Sequence, residues 1–162
     1  MKVSKSSRHS KITGDFSERL VLYWLSKYGF ECAYVDHVGM DIIARRPHSK
    51  EIMGISVKSR SRNTGTEGSY LKIPVGNLTK LDAACQAFDC IPYFAIVVDE
   101  ATSIRVYILS KAHLVELHPP GNKAIAWTMG DKWTTRYAID PQIRAFTFTT
   151  ETGNWWSNEV EE

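Results

Sequence analysis

Three short β-strand patterns follow one another between residues 31 and 58, with only brief turns between them. Glu31 to Asp36, Met40 to Arg45 and Glu51 to Lys58 are rich in β-branched and apolar residues, whereas His37-Val38-Gly39 and Pro47 to Lys50 have the composition of turns. Connections this short join antiparallel neighbours, because parallel strands need a crossover of about a dozen residues or more. The segment therefore predicts a three-stranded antiparallel meander.

Helical patterns stand on both sides of this meander. Asp15-Phe16-Ser17-Glu18 has the acid-x-x-Glu spacing of a capping box, and the helix that it begins is predicted to continue to Tyr28 and to end at Gly29. Asn77 can cap a second helix, and Pro92 to Asp99 is the apolar run of a buried strand. The sequence thus predicts an α/β core in the order helix, three strands, helix, strand.

Further patterns continue after residue 100. They predict one short helix and four strands, which are the helix Lys111 to Leu117 and the strands Ser103 to Leu109, Ala124 to Met129, Trp133 to Ile139 and Ile143 to Thr149. We expect these elements to add C-terminal strands to the core.

A single globular domain accounts for the length and composition. The chain has 162 residues, of which 43% are apolar. We expect a flexible basic leader at residues 1–13, one domain at 14–150 with its core at 14–100 and extra strands at 101–150, and an acidic tail at 151–162. No run approaches the roughly 20 apolar residues of a membrane span. The three cysteines lack metal-ligand spacing, so we predict a cytoplasmic protein with reduced thiols and no membrane partner.

Glu18, Asp41 and Lys58 occupy positions that direct their side chains toward one place. Glu18 lies in the first turn of the predicted helix, on the side of its apolar stripe. If residues 47–50 form the loop between the second and third strands, counting inward places Asp41 opposite Ser56, with Lys58 on the same strand face as Ser56. Two carboxylates and an ammonium are groups that bind a divalent cation and a phosphodiester. Taken singly, they also fit a helix cap, a turn acid and a surface lysine.

Three segments carry a resemblance to a known superfamily. They are Gly14-Asp15-Phe16-Ser17-Glu18, Gly39-Met40-Asp41-Ile42-Ile43 and Ser56-Val57-Lys58-Ser59-Arg60. In this order the chain resembles the PD-(D/E)xK nucleases, and within them the archaeal Holliday-junction-resolvase type, over about the first hundred residues. The resemblance implies a restriction-endonuclease-like fold and a metal-dependent endonuclease that hydrolyses DNA.

The resemblance also implies roles for particular residues. Glu18, Asp41 and the carbonyl oxygen of Val57 would hold Mg²⁺ or Mn²⁺, while Lys58 would position the attacking water or neutralise charge in the transition state. Ser56 stands where the family has an acid and supplies a neutral oxygen instead, which predicts a lower metal affinity. The alternative is a catalytically weak or inactive module of the same fold that binds DNA or serves in assembly.

Charge is distributed unevenly along the chain. Residues 1–62 carry 12 Lys and Arg against 6 Asp and Glu, a balance of +6, whereas the remainder carries 8 against 12, a balance of −4. Lys58, Arg60 and Arg62 would share one strand face if the third strand continues that far, and Lys11 lies in the basic leader. These four side chains are predicted to contact a DNA backbone, and the alternative is an ordinary solvated surface.

Four tryptophans invite a second partner hypothesis. They are Trp127, Trp133, Trp155 and Trp156. They could stack on unpaired bases or cover the interface of a homodimer, and aromatic residues at alternating strand positions are also common in cores. The sequence leaves these alternatives open.

Overall fold

A computed structural model of the chain describes residues 8–62, 66, 69–100 and 102–151. These residues form a six-stranded sheet, a separate two-stranded sheet and four helices. The elements follow in the order α1 (His9–Lys27), β1 (Glu31–His37), β2 (Met40–Arg45), β3 (Ile52–Ser61), β4 (Leu71–Pro74), α2 (Val75–Ala87), β5 (Ile91–Asp99), β6 (Ser103–Ser110), α3 (Lys111–Leu117), β7 (Ala124–Trp127), α4 (Asp131–Ile139) and β8 (Arg144–Thr149).

The large sheet has the strand order β1-β2-β3-β5-β6-β8. Strands β1, β2 and β3 form the expected antiparallel meander, and β3 pairs with β5 in parallel. The connection between β3 and β5 includes β4 and α2, which gives the length that a parallel crossover requires. Strands β6 and β8 continue the sheet antiparallel beyond β5, and β4 pairs with β7 apart from it. The predicted core order is therefore confirmed.

Helices cover both faces of the large sheet. Along β5, Phe94, Ile96 and Val98 pack in one apolar cluster with residues of α2, α3 and α4. Ala95 and Val97 belong to a second cluster, which contains the apolar residues of α1. Because successive side chains of a strand point to opposite faces, the alternation in β5 separates the two layers. None of the helices in the described ranges has the length and apolar character needed to cross a membrane.

Helix α1 begins seven residues before the predicted start. Its N-cap is Arg8, which makes no capping side-chain hydrogen bond, so the capping box proposed at Asp15 is wrong. Residues 9–13 lie in the helix and not in a flexible leader. Thr13 and Ser17 are buried, and their hydroxyls donate to the carbonyls of His9 and Thr13 at 2.8 and 2.6 Å. Because these buried residues are polar, an apolar pattern in the sequence does not reveal the first turns of the helix.

Other elements also differ from the expectation. Helix α2 starts at Val75 after an N-cap at Pro74, so Asn77 is not its cap. The strand predicted at Trp133 to Ile139 is wrong, because these residues lie in α4. Trp133 and Tyr137 are four residues apart on that helix and both contact the core, which is helical spacing despite the β-type composition. The short strand β4 was missed.

Gly39 ends the turn between β1 and β2 where α2 passes very close. Its φ is +94°, a conformation that favours glycine. A methyl group on Gly39 would lie 2.5 Å from the backbone carbon and oxygen of Lys80. The glycine therefore lets the backbone of α2 approach the start of β2, one residue before Met40 and two before Asp41.

We expect Gly39→Ala to lower the free energy of unfolding by about 1 to 3 kcal/mol, the cost of a left-handed conformation in a residue with a side chain. The contact with the Lys80 backbone adds to this cost. Gly76→Ala is the matched control, because Gly76 lies in α2 with no atom within 4 Å of the added methyl. There alanine should stabilise the protein by about 0.5 to 1 kcal/mol. Urea unfolding measures both, and equal effects would contradict the close approach.

Candidate functional site

The pairing of β2 with β3 stops at the place where Asp41 lies. The ladder runs from Arg45 opposite Ile52 to Ile42 opposite Ile55, in the register expected from the sequence. Beyond that point the backbone N–H of Val57 donates to Asp41 Oδ2 at 2.6 Å. A carboxylate oxygen thus replaces a backbone acceptor at the end of the ladder, and this bond fixes the orientation of the Asp41 side chain.

Ser56 and Lys58 complete the same corner of the sheet. The Ser56 hydroxyl is buried and donates to Asp41 Oδ2 at 3.4 Å, as the predicted register requires. The ammonium of Lys58 donates to Ser56 Oγ at 2.9 Å and to the carbonyl oxygen of Val57 at 3.2 Å. Lys58 therefore lies folded back over its own strand, beside the carboxylate of Asp41.

Burial is the main influence on the charge of Lys58. It lowers the pKa of the Lys58 ammonium below its ordinary value, and the nearby Lys80 lowers it further. The carboxylates of Asp41 and Glu18 act in the opposite direction, because they favour the charged form. The charges of both acids therefore act on the Lys58 ammonium, as expected from the sequence if Glu18, Asp41 and Lys58 lie close together.

Glu18 reaches this corner from α1. It is half-buried at the edge of the buried face of that helix. Burial raises the pKa of Glu18, a hydrogen bond from Tyr34 lowers it, and the charges of Asp41, Asp15 and Asp36 raise it. The site therefore contains two carboxylates that repel each other and one ammonium that attracts both of them.

Tyr34 is a site residue that the sequence analysis missed. Its hydroxyl bonds to Glu18, and this bond is the first cause that raises the pKa of Tyr34 to about 12. The guanidinium of Arg19 lies 4.0 Å from the centre of the Tyr34 ring. Tyr34 pairs with Ile42, the neighbour of Asp41. The pairing of β1 with β2 could have identified Tyr34 from the sequence, because it places Tyr34 beside the neighbour of Asp41.

The four residues predicted to contact DNA differ in their exposure and in their position on the fold. Arg60 and Lys11 are exposed, on β3 and α1 respectively. Arg62 is only 3% exposed and lies after the end of β3, where its Nη1 donates to the carbonyl of Thr66 at 3.1 Å. The prediction that Arg62 shares a strand face with Lys58 and Arg60 required the strand to continue, and it is wrong because β3 ends at Ser61. The exposed Lys80, whose charge acts on Lys58, was not predicted.

The tryptophan hypothesis separates into two parts. Trp127 is fully buried in the core and stacks on Tyr137 at 4.0 Å, so it is not available to bases or to a partner. Trp133 packs against the same cluster. Trp155 and Trp156 lie outside the described residues.

The oxygen atoms of this corner have the chemistry of a hard-cation site. The donors are the carboxylates of Glu18 and Asp41, the Ser56 hydroxyl and the Val57 carbonyl. The last two oxygens already accept hydrogen bonds from the Lys58 ammonium. Within the described residues, no group of three or more His, Cys, Asp and Glu side chains is placed to hold a metal ion. The donors fit Mg²⁺, which uses one or two carboxylates and keeps several waters.

Comparison with known proteins gives a similarity in structure. No model of a protein family matches the chain, and no curated protein matches it. Among solved structures, the chain is similar to the Holliday junction resolvase Hjc from Archaeoglobus fulgidus, with a TM-score of 0.53 and 21% sequence identity over 71% of this chain and 83% of that one. The chain has a restriction-endonuclease-like fold. In this fold the corner formed by Asp41, Ser56 and Lys58 lies on β2 and β3 of the meander.

We expect Lys58→Met to melt at a higher temperature than the wild type at neutral pH in a chelator. The folded pKa of Lys58 is lowered, so the folded protein disfavours the bound proton relative to the unfolded chain, and this penalty is present below the folded pKa. It disappears as the pH rises through the folded pKa toward the unfolded value of 10.5. The advantage of the variant should shrink over that interval in a series of thermal melts.

Lys132→Met is the control, because Lys132 is exposed on α4 and its charge is not one of those that act on Lys58. It should leave the melting temperature nearly unchanged across the same pH series. A Lys58→Met protein that is less stable than the wild type at neutral pH, with a gap that grows as the pH rises, would contradict the assigned direction.

Proposed function

We propose that this protein is a metal-dependent endonuclease that hydrolyses phosphodiester bonds of DNA. The observation that carries the proposal is the convergence of Glu18, Asp41 and Lys58 at the end of the β2–β3 ladder, with Asp41 held by the Val57 amide. A similar solved structure is that of a Holliday junction resolvase, which supports DNA as the class of substrate. A branched junction is the first substrate to try.

Glu18 and Asp41 would hold the divalent cation, Mg²⁺ or Mn²⁺, together with the carbonyl oxygen of Val57. Such an ion, when bound, polarises a phosphoryl oxygen and lowers the pKa of a bound water. The Val57 amide keeps Asp41 Oδ2 in place, and Tyr34 does the same for the Glu18 carboxylate. This preorganisation matters because charge that is already oriented needs no rearrangement during the reaction.

Lys58 would neutralise the charge that develops on the phosphate or position the attacking water. For this role its ammonium must leave the Val57 carbonyl, where it donates at 3.2 Å, and turn toward the substrate. Ser56 Oγ is the second anchor that holds Lys58 in the free protein. Arg60, Lys80 and Lys11 would add exposed positive charge for the backbone of DNA.

The second candidate function is a catalytically weak or inactive module that binds DNA or serves in assembly. One feature favours it: Ser56 supplies a hydroxyl where an acid would strengthen metal binding, and Lys58 holds two of the donor oxygens. The two candidates differ in the outcome of a cleavage assay in Mg²⁺ and in Mn²⁺ with branched, duplex and single-stranded DNA. Binding without cleavage under every condition would favour the second.

We expect Asp41→Asn to reduce the cleavage rate by about two to three orders of magnitude, as for the loss of one preorganised charged group. The amide oxygen of asparagine can still accept from Val57 N–H, so the fold and its melting temperature should change little. Asp131→Asn, at an exposed position on α4, makes the same chemical change away from the site and should cleave like the wild type. Equal rates for all three proteins would remove Asp41 from the mechanism.

We expect Ser56→Glu to raise the affinity for Mn²⁺ by about tenfold or more, because it adds a carboxylate to the donor set. In a chelator the same variant should be less stable than the wild type, since the new charge lies beside Asp41. Ser59→Glu is the matched control on the opposite face of β3 and should not change metal affinity. Calorimetric titration and thermal melts test both parts.

We expect Arg60→Ala to weaken binding to all DNA sequences alike and to lower the slope of log K against log salt by about one unit, the value for one phosphate contact. Lys132→Ala, on the exposed side of α4, is the control and should leave the slope unchanged. The measurement is a fluorescence anisotropy titration at several salt concentrations. A loss confined to one sequence would indicate base recognition instead.

A further inference from the structure

Three sulfur atoms converge on the place where Gly54 lacks a side chain. A methyl group on Gly54 would lie 2.5 Å from Cys85 Sγ, 2.6 Å from Met40 Sδ and 2.7 Å from Cys90 Sγ. That position is one bond from the Gly54 Cα and is not free space, so the distances show that the three sulfurs lie close to one another against this glycine. Cys90 Sγ and Met40 Sδ are themselves 3.9 Å apart.

The three sulfurs come from different elements of the fold. Met40 begins β2, Cys85 lies in the last turns of α2, and Cys90 precedes β5. The backbone N–H of Cys90 donates to the carbonyl of Cys85 at 3.0 Å, which holds the two cysteines together. Met40 and Cys85 are buried, whereas Cys90 is half-buried and follows the exposed residues 86–89. An ion could therefore enter beside Cys90.

We propose that Cys85, Cys90 and Met40 form a binding site for a soft monovalent cation of the copper(I) class. Thiolate and thioether sulfurs select such ions over hard divalent ones. A three-coordinate ion with metal–sulfur distances of about 2.3 Å separates its sulfurs by about 4 Å, close to the separation of Cys90 and Met40. The site shares no residue with the corner of Glu18, Asp41 and Lys58, so it does not depend on the proposed nuclease function.

Zinc is a poorer occupant of this site. Structural zinc sites have four ligands in tetrahedral arrangement, usually cysteine and histidine. The described part of the chain places no third cysteine, histidine or acid with these two cysteines, and the third sulfur is a neutral thioether. The three sulfur donors favour copper(I).

A disulfide between Cys85 and Cys90 is the competing chemistry. It needs the two sulfurs to approach to about 2.05 Å. Burial raises the pKa of the Cys85 thiol to about 12, and the neighbouring Cys90 contributes to the shift, so little of the thiolate that forms a disulfide is present unless a cation displaces the proton. Metal binding involves no change of oxidation state. Each thiol that coordinates the ion loses its proton to solvent, and the two metal–thiolate bonds replace the S–H bonds.

The test is an anaerobic competition in which bicinchoninate-bound copper(I) is titrated with the reduced protein. The wild type should withdraw one equivalent of copper(I) from the coloured complex. Cys90→Ala should bind at least about tenfold more weakly, and Met40→Leu should also lose affinity, because each removes one sulfur from the site. Cys32→Ser is the matched control: Cys32 lies on β1, where its thiol donates to the carbonyl of Leu22, and it should bind like the wild type.

Thermal melts accompany the titration. Copper(I) should raise the melting temperature of the wild type and of Cys32→Ser, but not that of Cys90→Ala, which replaces a half-buried side chain by one of similar size. The proposal is overturned if the wild type withdraws no more copper(I) than Cys90→Ala. It is also overturned if Cys32→Ser loses binding to the same extent, or if the reduced wild type binds zinc and not copper(I).

Discussion

The early end of the β2–β3 ladder is the constraint on which the functional corner depends. The last pair is Ile42 with Ile55, so Met40 and Asp41 extend β2 beyond the ladder while β3 continues in parallel with β5. At that end the amide of Val57 turns to Asp41 Oδ2, at 2.6 Å. The bond satisfies a donor that the sheet itself leaves open and at the same time fixes a carboxylate. The end of the β2–β3 ladder thus holds the Asp41 carboxylate in one orientation.

The charges around this corner balance one another only in part. Two carboxylates at Glu18 and Asp41 face the one half-buried ammonium of Lys58, and burial raises the pKa of Glu18 while it lowers that of Lys58. Both shifts show that the charged forms are costly in the free protein. A bound divalent cation would offset the repulsion between the two carboxylates. The cation and the Lys58 ammonium together carry more positive charge than the carboxylates neutralise, and a phosphate would offset the remainder. Both proposed ligands would therefore lower the electrostatic cost of the charged site.

The sequence was sufficient for the parts that depend on local pattern. The meander, the register that places Asp41 beside Ser56, and the relation to Lys58 follow from strand alternation and one short loop. Parts that depend on tertiary packing were missed or wrong. Tyr34 joins Glu18 only because β1 and α1 meet there. Arg62 turns into the protein after β3 ends, where the alternation of a longer strand would have exposed it. Residues 133–139 form a helix because Trp133 and Tyr137 both reach one core.

Paramagnetic broadening by Mn²⁺ in NMR spectra of the whole protein tests the central claim most directly. Substoichiometric Mn²⁺ should first broaden the amide signals of Glu18, Asp41, Val57 and Lys58, while signals near the exposed Asp131 should stay sharp. In Asp41→Asn the selective broadening should disappear. Broadening that begins at exposed acids and reaches this corner no earlier than the rest of the sheet would contradict the account, since no cation would then be held where the β2–β3 ladder ends.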